Sequence, residues 1–367
     1  MEIEVEQSKL AKALGVVSRV AAGAKATLPV LNNVLIRVDK KKTTLTTTNL
    51  DMAVVDFLPT SLAKDGVVTV PARLLADFVS NLPDKEVVKI SAKDDKVIIK
   101  SGKYSSTMNG MPADDFPELP EIDEKKAVIF KMGVDDFKTG LSQVMVASSN
   151  DMTRPALTGI YFNTFEGNLY IAATDGYRLA EKKFISKVKS EVAAIVPASS
   201  LSEVLRSLSE DVDEVEIIFD ESQVKFRLGD IEITSKLIDG SFPDYRRLIP
   251  EKSDTVLELS RPELTRVTKL AALFAREVGG SIICEAKKEG VFSVSSVANE
   301  FGENDSEIEV KVEKPSKVTL NSRYLMDALN VLSEEMIVFR FSGALAPVVL
   351  KNAKADDYTH IIMPLKS

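Results

Sequence analysis

The chain has 367 residues, of which 44% are hydrophobic and 28% charged, a composition typical of a globular protein with two or three domains. Its net charge of −8 argues against a protein that coats nucleic acid with its whole surface, but not against a local basic face. The single cysteine excludes an internal disulfide, and no apolar run reaches the roughly 18 residues that span a bilayer. We therefore expect a cytoplasmic protein without a membrane partner.

The chain begins with a predicted strand followed by a helix, and this order recurs twice. Leu10, Phe137 and Leu264 occupy equivalent places in the three helices, because each is 127 positions from the next. Apolar residues recur at helical spacing, which indicates that one face of each helix packs on a sheet. Ser8 and Ser260 are predicted to cap the first and third helices. The three helices are predicted over residues 8–20, 134–144 and 260–270.

Each first helix is followed by strands, a second helix and further strands. The strand pairs are rich in β-branched and aromatic residues and are predicted at 34–38 with 43–48, 160–162 with 169–174, and 282–286 with 291–296. The second helices are predicted over 70–82, 196–208 and 320–332. The closing strands are predicted at 87–90 and 97–101, 215–219 and 224–228, and 337–341 and 348–350.

Two Phe-Pro pairs mark the same point of the repeat. Phe116 and Phe242 are 126 positions apart, about a third of the chain, and each precedes a proline that favours an extended connector. The whole pattern predicts an α+β fold of three repeated domains, each with two helices packed on antiparallel sheets. Charged linkers place the domains at 1–124, 127–251 and 253–367.

Few residues in the chain have the pattern of a catalytic or metal site. No Walker A or GxGxxG motif is present, and one histidine with one cysteine cannot supply a usual zinc ligand set. His360 is predicted to be an ordinary hydrogen-bonded strand residue, and Cys284 a buried, inert thiol. We expect no catalytic residue, no metal and no cofactor.

Aspartates cluster at several points, and a metal-dependent nuclease could use such a group. Asp beside Gly or Pro is, however, also what turns prefer, and these positions recur with the repeat. The turn interpretation is the one we favour. The clustered residues are Asp114, Asp115, Asp175, Asp239 and Asp244.

Basic residues concentrate on two of the helices. From Gln7 to Lys25 the chain has Lys9, Lys12, Arg19 and Lys25 without an acidic residue, and the third-copy helix has Arg266 and Lys269. A solvated basic face is the ordinary interpretation of either helix alone. Its repetition in an acidic protein favours phosphate binding.

Several motifs together resemble those of the bacterial β sliding clamp family, the processivity subunit of DNA polymerase III. They are Thr27-Leu28-Pro29-Val30-Leu31-Asn32-Asn33, Arg154-Pro155-Ala156-Leu157-Thr158-Gly159, Ala173-Thr174-Asp175-Gly176-Tyr177-Arg178-Leu179-Ala180, Phe242-Pro243-Asp244-Tyr245-Arg246-Arg247 and Met363-Pro364-Leu365. The resemblance extends over the whole chain, in order. It departs from the family at Tyr177, where histidine is common, and in the tail Leu365-Lys366-Ser367.

The resemblance implies a DNA-clamp fold and a head-to-tail homodimer that forms a ring around double-stranded DNA. Such a ring holds a polymerase on its template without catalysis or sequence recognition. The residues expected to face DNA are Lys9, Lys12, Lys25, Arg154, Arg266 and Lys269. The residues expected at the dimer interface are Met108, Leu273 and Phe274.

The resemblance also implies a groove that binds short apolar peptides. The partners would be the polymerase III alpha subunit, the clamp loader, and other polymerases and repair proteins. The matching residues are Leu157, Thr174, Gly176, Tyr177, Arg178, Leu179, Pro243, Arg247, Leu248, Pro347, Ile361, Met363, Pro364 and Leu365. Aliphatic and Met side chains form an adaptable apolar pocket, and the arginines could surround it.

Two alternatives have different consequences. A nuclease would lose activity when Asp114, Asp115, Asp239 and Asp244 are replaced by alanine. A peptide-binding scaffold unrelated to DNA would be a monomer and would not be retained on circular duplex. The threefold repeat and the paired basic helices favour the clamp.

Overall fold

The structure is a computed structural model that describes residues 1–23, 28–40, 42–93, 95–119, 121–298 and 302–365. These residues form two compact units, one of residues 1–134 and 199–237 and the other of residues 135–198 and 238–367. The helices are α1 (Gln7–Gly23), α2 (Ala72–Ser80), α3 (Val134–Met145), α4 (Ala198–Ser207), α5 (Arg261–Ala275) and α6 (Ser322–Val331). No helix in the described ranges is long and apolar enough to cross a membrane.

The first unit contains two sheets. Its larger sheet has eight strands in the order β10 (Val128–Gly133), β15 (Glu214–Phe219), β16 (Gln223–Leu228), β17 (Ile231–Lys236), β4 (Met52–Leu58), β3 (Lys42–Thr48), β2 (Asn33–Asp39) and β6 (Gly66–Pro71). Its smaller sheet has the order β5 (Leu62–Lys64), β1 (Glu2–Glu6), β7 (Val87–Lys93), β8 (Lys96–Ser101) and β9 (Tyr104–Asn109). Leu10, Leu14 and Val17 of α1 are buried, at the helical spacing that the sequence predicted.

The second unit repeats this arrangement. Its larger sheet has the order β14 (Ala193–Pro197), β11 (Gly159–Phe165), β12 (Asn168–Thr174), β13 (Arg178–Ile185), β25 (Tyr358–Ile362), β24 (Val348–Asn352), β23 (Met336–Phe341) and β18 (Thr255–Ser260). Its smaller sheet has the order β21 (Gly302–Glu309), β20 (Val291–Ala298), β19 (Ser281–Lys287) and β22 (Ser316–Asn321).

Each eight-stranded sheet combines four strands from the middle third of the chain with four from an outer third. In the first unit β17 joins β4, with Ile231 opposite Asp56. In the second unit β13 joins β25, with Lys182 opposite Tyr358. Both junctions are antiparallel. The middle third of the sequence therefore contributes half of the larger sheet in each unit.

The six predicted helices are confirmed. Of the two predicted N-caps, one is confirmed and one is wrong. The Ser260 hydroxyl accepts a hydrogen bond from the Glu263 N–H at 3.4 Å and so caps α5 as expected. The prediction for Ser8 was wrong, because α1 begins at Gln7 directly after β1. Gln7 is buried and donates to the Val79 carbonyl at 2.8 Å, whereas Ser8 donates to Glu6 Oε1. The helix starts at the anchored Gln7, two residues earlier than the start at Lys9 that a cap at Ser8 would require.

Candidate functional site

The turn between β12 and β13 has a backbone held by two side chains. The Thr174 hydroxyl donates to the Arg178 carbonyl at 2.6 Å and accepts from the Gly176 N–H at 3.1 Å. Asp175 Oδ1 accepts from the N–H groups of Tyr177 and Arg178 at 2.9 and 3.0 Å. Gly176 has a φ of +92°, which glycine adopts without steric cost. The turn thus presents Tyr177, whose side chain is 60% exposed.

Arg178 is a structural residue of this turn. Its side chain is buried, and its guanidinium pairs with Asp175 at 3.0 Å and with Asp327 of α6. The guanidinium also lies 4.5 Å from the centre of the Tyr324 ring. Two carboxylates and an aromatic ring therefore already interact with its charge, and the expectation that Arg178 surrounds the groove stays a prediction. Its role is to attach the turn to α6.

An apolar floor lies beside the turn. Its buried members are Ala172, Leu179, Tyr245, Val349 and Ile361, and the partly buried residues packed on it are Tyr161, Phe242, Ile249 and Met363. The Phe242 and Tyr161 rings stack with their centres 4.8 Å apart. Three residues of the predicted groove, Leu179, Ile361 and Met363, belong to this floor. Long-range strand pairing therefore brings together side chains that are distant in the sequence.

The segment after Phe242 is held in place by Tyr245 and Arg246, which were not among the predicted site residues. The Tyr245 hydroxyl donates to Glu181 Oε2, and burial beside that carboxylate raises the pKa of Tyr245. Arg246 pairs with Glu181 at 2.9 Å and lies over the rings of Phe165 and Tyr170, at 4.0 and 4.4 Å from their centres. Phe242 and Tyr245, six and nine positions after the end of β17, are the aromatic residues in a loop that could have revealed this attachment.

Tyr245 and Arg246 are held against the protein, whereas residues next to them are exposed to solvent. Pro243, Arg247 and Leu248 are all exposed, and Arg247 has one ion-pair partner among the described residues, Asp244 at 2.6 Å. Asp244 directly precedes the short 3-10 helix Tyr245–Leu248 and has a basic partner in Arg247. Leu248 adds an exposed apolar side chain directly before Ile249, which packs on the apolar floor.

The tail of the chain runs past the same turn. The Met363 N–H donates to the Tyr177 carbonyl at 2.8 Å, and the Leu365 N–H donates to the Thr319 carbonyl at 2.8 Å. Met363, Pro364 and Leu365 are partly buried, so their side chains are shared between the protein and solvent. The residues Lys366 and Ser367 lie outside the described residues.

The two remaining groove residues lie near the ends of strands. Leu157 is buried in a short 3-10 helix, Pro155–Thr158, that leads into β11. Pro347 is partly buried and directly precedes β24. The structure therefore places every predicted groove residue in the second unit, although only some of them have contacts with one another.

Three basic residues of the first helix have acidic partners, one directly before the helix and two from distant parts of the chain. Lys9 pairs with Glu6 at 3.8 Å, and Lys12 pairs with Asp211 at 3.0 Å. Arg19, the third, pairs with the buried carboxylate of Glu203. The basic face predicted from this helix is therefore partly neutralised. The exposed pairs of Lys9 and Lys12 contribute little energy and exchange readily with solvent ions.

The other residues expected to face DNA differ among themselves. Arg154 pairs with Asp151 at 3.3 Å. Arg266 and Lys269 are exposed on α5, and neither forms an ion pair with a described residue. Lys25 lies outside the described residues. The cations of α5 are thus the ones most available to an external phosphate.

Two end strands bear on the predicted dimer interface. β9 ends the five-stranded sheet, and β21 ends the four-stranded sheet of the other unit. Met108 lies on β9, but its side chain is only 4% exposed, so the strand offers its backbone there and not this side chain. Leu273 of α5 is 54% exposed, and Phe274 is partly buried.

The features considered for catalysis have ordinary structural roles. His360 is buried on β25, with Nδ1 2.8 Å from the Tyr358 hydroxyl. Cys284 is buried, and burial raises the pKa of its thiol to about 12. Across the described ranges, no group of three or more His, Cys, Asp or Glu residues could hold a metal ion.

Models of one protein family match the chain in three consecutive parts. They describe the N-terminal domain of the DNA polymerase III beta subunit at residues 1–120, its central domain at 131–244 and its C-terminal domain at 246–366. A beta sliding clamp of Staphylococcus aureus (strain Mu50 / ATCC 700699) is 29% identical over 358 residues, which are 95% of this chain and 94% of that protein.

Solved structures are similar over the full length. A DNA polymerase sliding clamp from Pseudomonas aeruginosa with ligand has 28% identity and a TM-score of 0.94. A sliding clamp from Bartonella birtlesii bound to griselimycin has 31% identity and a TM-score of 0.93. Each comparison covers 100% of this chain and 100% of the other.

Proposed function

This chain belongs to the family of the DNA polymerase III beta subunit, the bacterial sliding clamps, and from that premise we propose that it encircles duplex DNA and tethers a polymerase to it. The observation that carries the proposal is the match of all three family domains, in order, along one chain. The clamp is a non-catalytic subunit, so its action is topological. We propose domain boundaries at 1–124, 127–251 and 253–367, and a cytoplasmic location.

The contact with DNA is electrostatic and independent of sequence. A ring that surrounds the duplex needs no base contacts, because phosphate charges are the same at every base pair. Arg266 and Lys269, exposed and without ion pairs among the described residues, support this role most directly. Lys9, Lys12 and Arg154 already have acidic partners, and Lys25 is proposed from the family alone. Weak, partly neutralised contacts favour sliding over tight binding.

The ring is a head-to-tail homodimer in which β9 of one protomer pairs with β21 of its partner. Each of these strands ends its sheet, so each has backbone donors and acceptors available for a further strand. A head-to-tail arrangement brings two different edges together and closes when the rotation completes a ring. Leu273, exposed on α5, supplies apolar contact at the same interface.

The apolar floor, which includes Met363, binds short apolar peptides together with the exposed side chains of Tyr177 and Leu248. The floor supplies burial, and the fixed turn supplies a defined shape. We assign to this groove the polymerase III alpha subunit, the clamp loader, and other polymerases and repair proteins. Their competition for one groove would let partners exchange on a clamp that remains on DNA.

The test is retention on DNA after loading by the clamp loader with ATP. The protein should remain on a nicked circular plasmid during gel filtration and should be lost when the plasmid is cut once. Equal retention on circle and linear DNA would mean surface binding and would refute the topological mechanism. No retention on either, with a loader shown to be active on another clamp, would favour the peptide-binding scaffold.

A further inference from the structure

A cavity of about 280 Å³ lies in the first unit, away from the peptide groove. Its wall combines the start of α1, the end of β4, the loop after α4 and the turn between β16 and β17. The charged residues that face it are Lys9, Lys12, Asp56, Asp211 and Asp230. Leu58, Leu228 and Ile231 supply apolar wall. With three carboxylates and two ammonium groups, the site has an excess of one negative charge.

Asp56 is the buried carboxylate of this cavity. The residue is only 7% exposed, and none of the described residues donates a hydrogen bond to its side chain or forms an ion pair with it. Lys12, the cation whose charge acts on Asp56, is paired with Asp211 at 3.0 Å. Burial and the charge of Asp230 raise the pKa of Asp56 to about 6. A buried carboxylate without a partner is costly, and this one lines an open space.

The internal repeat shows what occupies the equivalent place in the second unit. Asp56 is opposite Ile231 across the β4–β17 junction, and Lys182 is opposite Tyr358 across the β13–β25 junction. The backbone confirms the correspondence. Phe57, the residue after Asp56, donates its N–H to the Asp230 carbonyl at 2.9 Å. Lys183, the residue after Lys182, donates its N–H to the Asp357 carbonyl at 2.8 Å.

In the second unit that place is filled and its charge is neutralised. The Lys182 ammonium donates to Asp357 at 2.6 Å. Two residues further along the strand, Phe184 packs so closely on α3 that a Cβ at Gly140 would lie 2.6 Å from its ring. The first unit has Asp56 for Lys182, Leu58 for Phe184 and Ala13 for Gly140. Compared with the second unit, the first unit therefore has a smaller side chain at both strand positions. Asp230 also has no cation in the place where Lys182 pairs with Asp357.

We propose that this cavity binds a primary alkylammonium ion, the group that Lys182 supplies covalently in the second unit. The ammonium group would lie between Asp56 and Asp230 and donate hydrogen bonds to both carboxylates. The alkyl stem would lie along Leu58, Leu228 and Ile231. The excess of a single negative charge favours a monovalent amine, since Lys9 and Lys12 repel a second positive charge near the opening. The natural ligand would be a short aliphatic amine.

The probe is n-butylammonium, which has the four-carbon stem of lysine, followed by saturation-transfer NMR on the full chain at about pH 8. Binding should be saturable, with butan-1-ol at least about tenfold weaker because it lacks the charge. Asp56→Asn should weaken amine binding at least about tenfold. Asp77→Asn, the same change at an exposed position of α2, should leave it unaltered.

A second variant reproduces the second unit. Asp56→Lys places an ammonium group beside Asp230, so it should keep the fold, measured by circular dichroism, and abolish binding of the amine. Binding by Asp56→Asn equal to that of the unaltered chain would overturn the proposal. So would equal binding of the alcohol and the amine, or no saturable amine binding at all. None of these results bears on retention on DNA, so the two proposals fail separately.

Discussion

The only histidine of the chain provides a sharp test of the packing of the second unit. The Tyr358 hydroxyl donates to the Gln143 carbonyl at 3.0 Å, so Nδ1 of His360, 2.8 Å from that hydroxyl, must be the N–H donor to it. Nε2 then has the lone pair, and no described atom forms a hydrogen bond with it. A proton added at Nε2 would place a charge in a buried site without an acceptor.

Burial, with the charge of Arg178 as a smaller cause, lowers the pKa of His360 to about 3 from 6.5. Between these values the unfolded chain binds a proton that the folded chain does not bind. The contribution of His360 to stability is therefore complete above about pH 6.5 and is lost as the pH falls toward 3. At about pH 5 the loss is about 2 kcal/mol, because each pKa unit is worth about 1.4 kcal/mol.

The assay is NMR, since a single histidine makes the imidazole signals unambiguous. We expect their shifts to remain constant from about pH 8 to about pH 5, below the usual histidine range. Urea unfolding should show a smaller loss of stability over this interval in His360→Asn, which keeps a donor near Nδ1. Titration of the folded protein's imidazole signals near the ordinary pKa would refute the reasoning.

Three further changes test the site and the assembly. Arg178→Met should destabilise the protein by about 3–5 kcal/mol in thermal unfolding, because two carboxylates lose their partner, whereas Arg247→Met, in an exposed pair, should cost under about 1 kcal/mol. Leu273→Asp should convert the dimer to a monomer in light scattering, and Leu74→Asp, at an exposed position of α2, should not. Leu248→Ala should weaken apolar peptide binding about fivefold in fluorescence anisotropy, with Leu74→Ala unchanged; an equal effect of both would contradict the groove assignment.

Much of the fold could be predicted from the sequence because the repeat presents each helix and strand pattern three times. The 127-residue spacing of Leu10, Phe137 and Leu264 located α1, α3 and α5, and all three residues are buried. β13 was not predicted. Its sequence Arg178-Leu179-Ala180-Glu181-Lys182-Lys183 is too charged for a buried strand unless partners neutralise it. Those partners, such as Asp357 for Lys182, lie far away in sequence and cannot be found from local pattern.

The candidate site shows the same limit. The motif residues of the β12–β13 turn were found, because the aspartate and glycine types reveal a turn directly. The orientation of Arg178 was not, since it depends on Asp327, which is 149 positions away. The basic face of α1 was overestimated for a similar reason. Asp211 and Glu203, which pair with Lys12 and Arg19, come from the loop after α4 and from α4 itself.

The two strand junctions, β17 with β4 and β13 with β25, have a mechanical consequence. Each joins an outer third of the chain to the middle third through a register of five residue pairs. Tension that pulls the middle third of the chain away from an outer third would act on the backbone hydrogen bonds of the junction. Depending on its direction, the tension would shear several of these bonds together or break them one after another. These junctions should therefore be stiff and should rupture only at high force. A pulling force should therefore deform the protein first at positions where no strand pairing of this kind holds the chain.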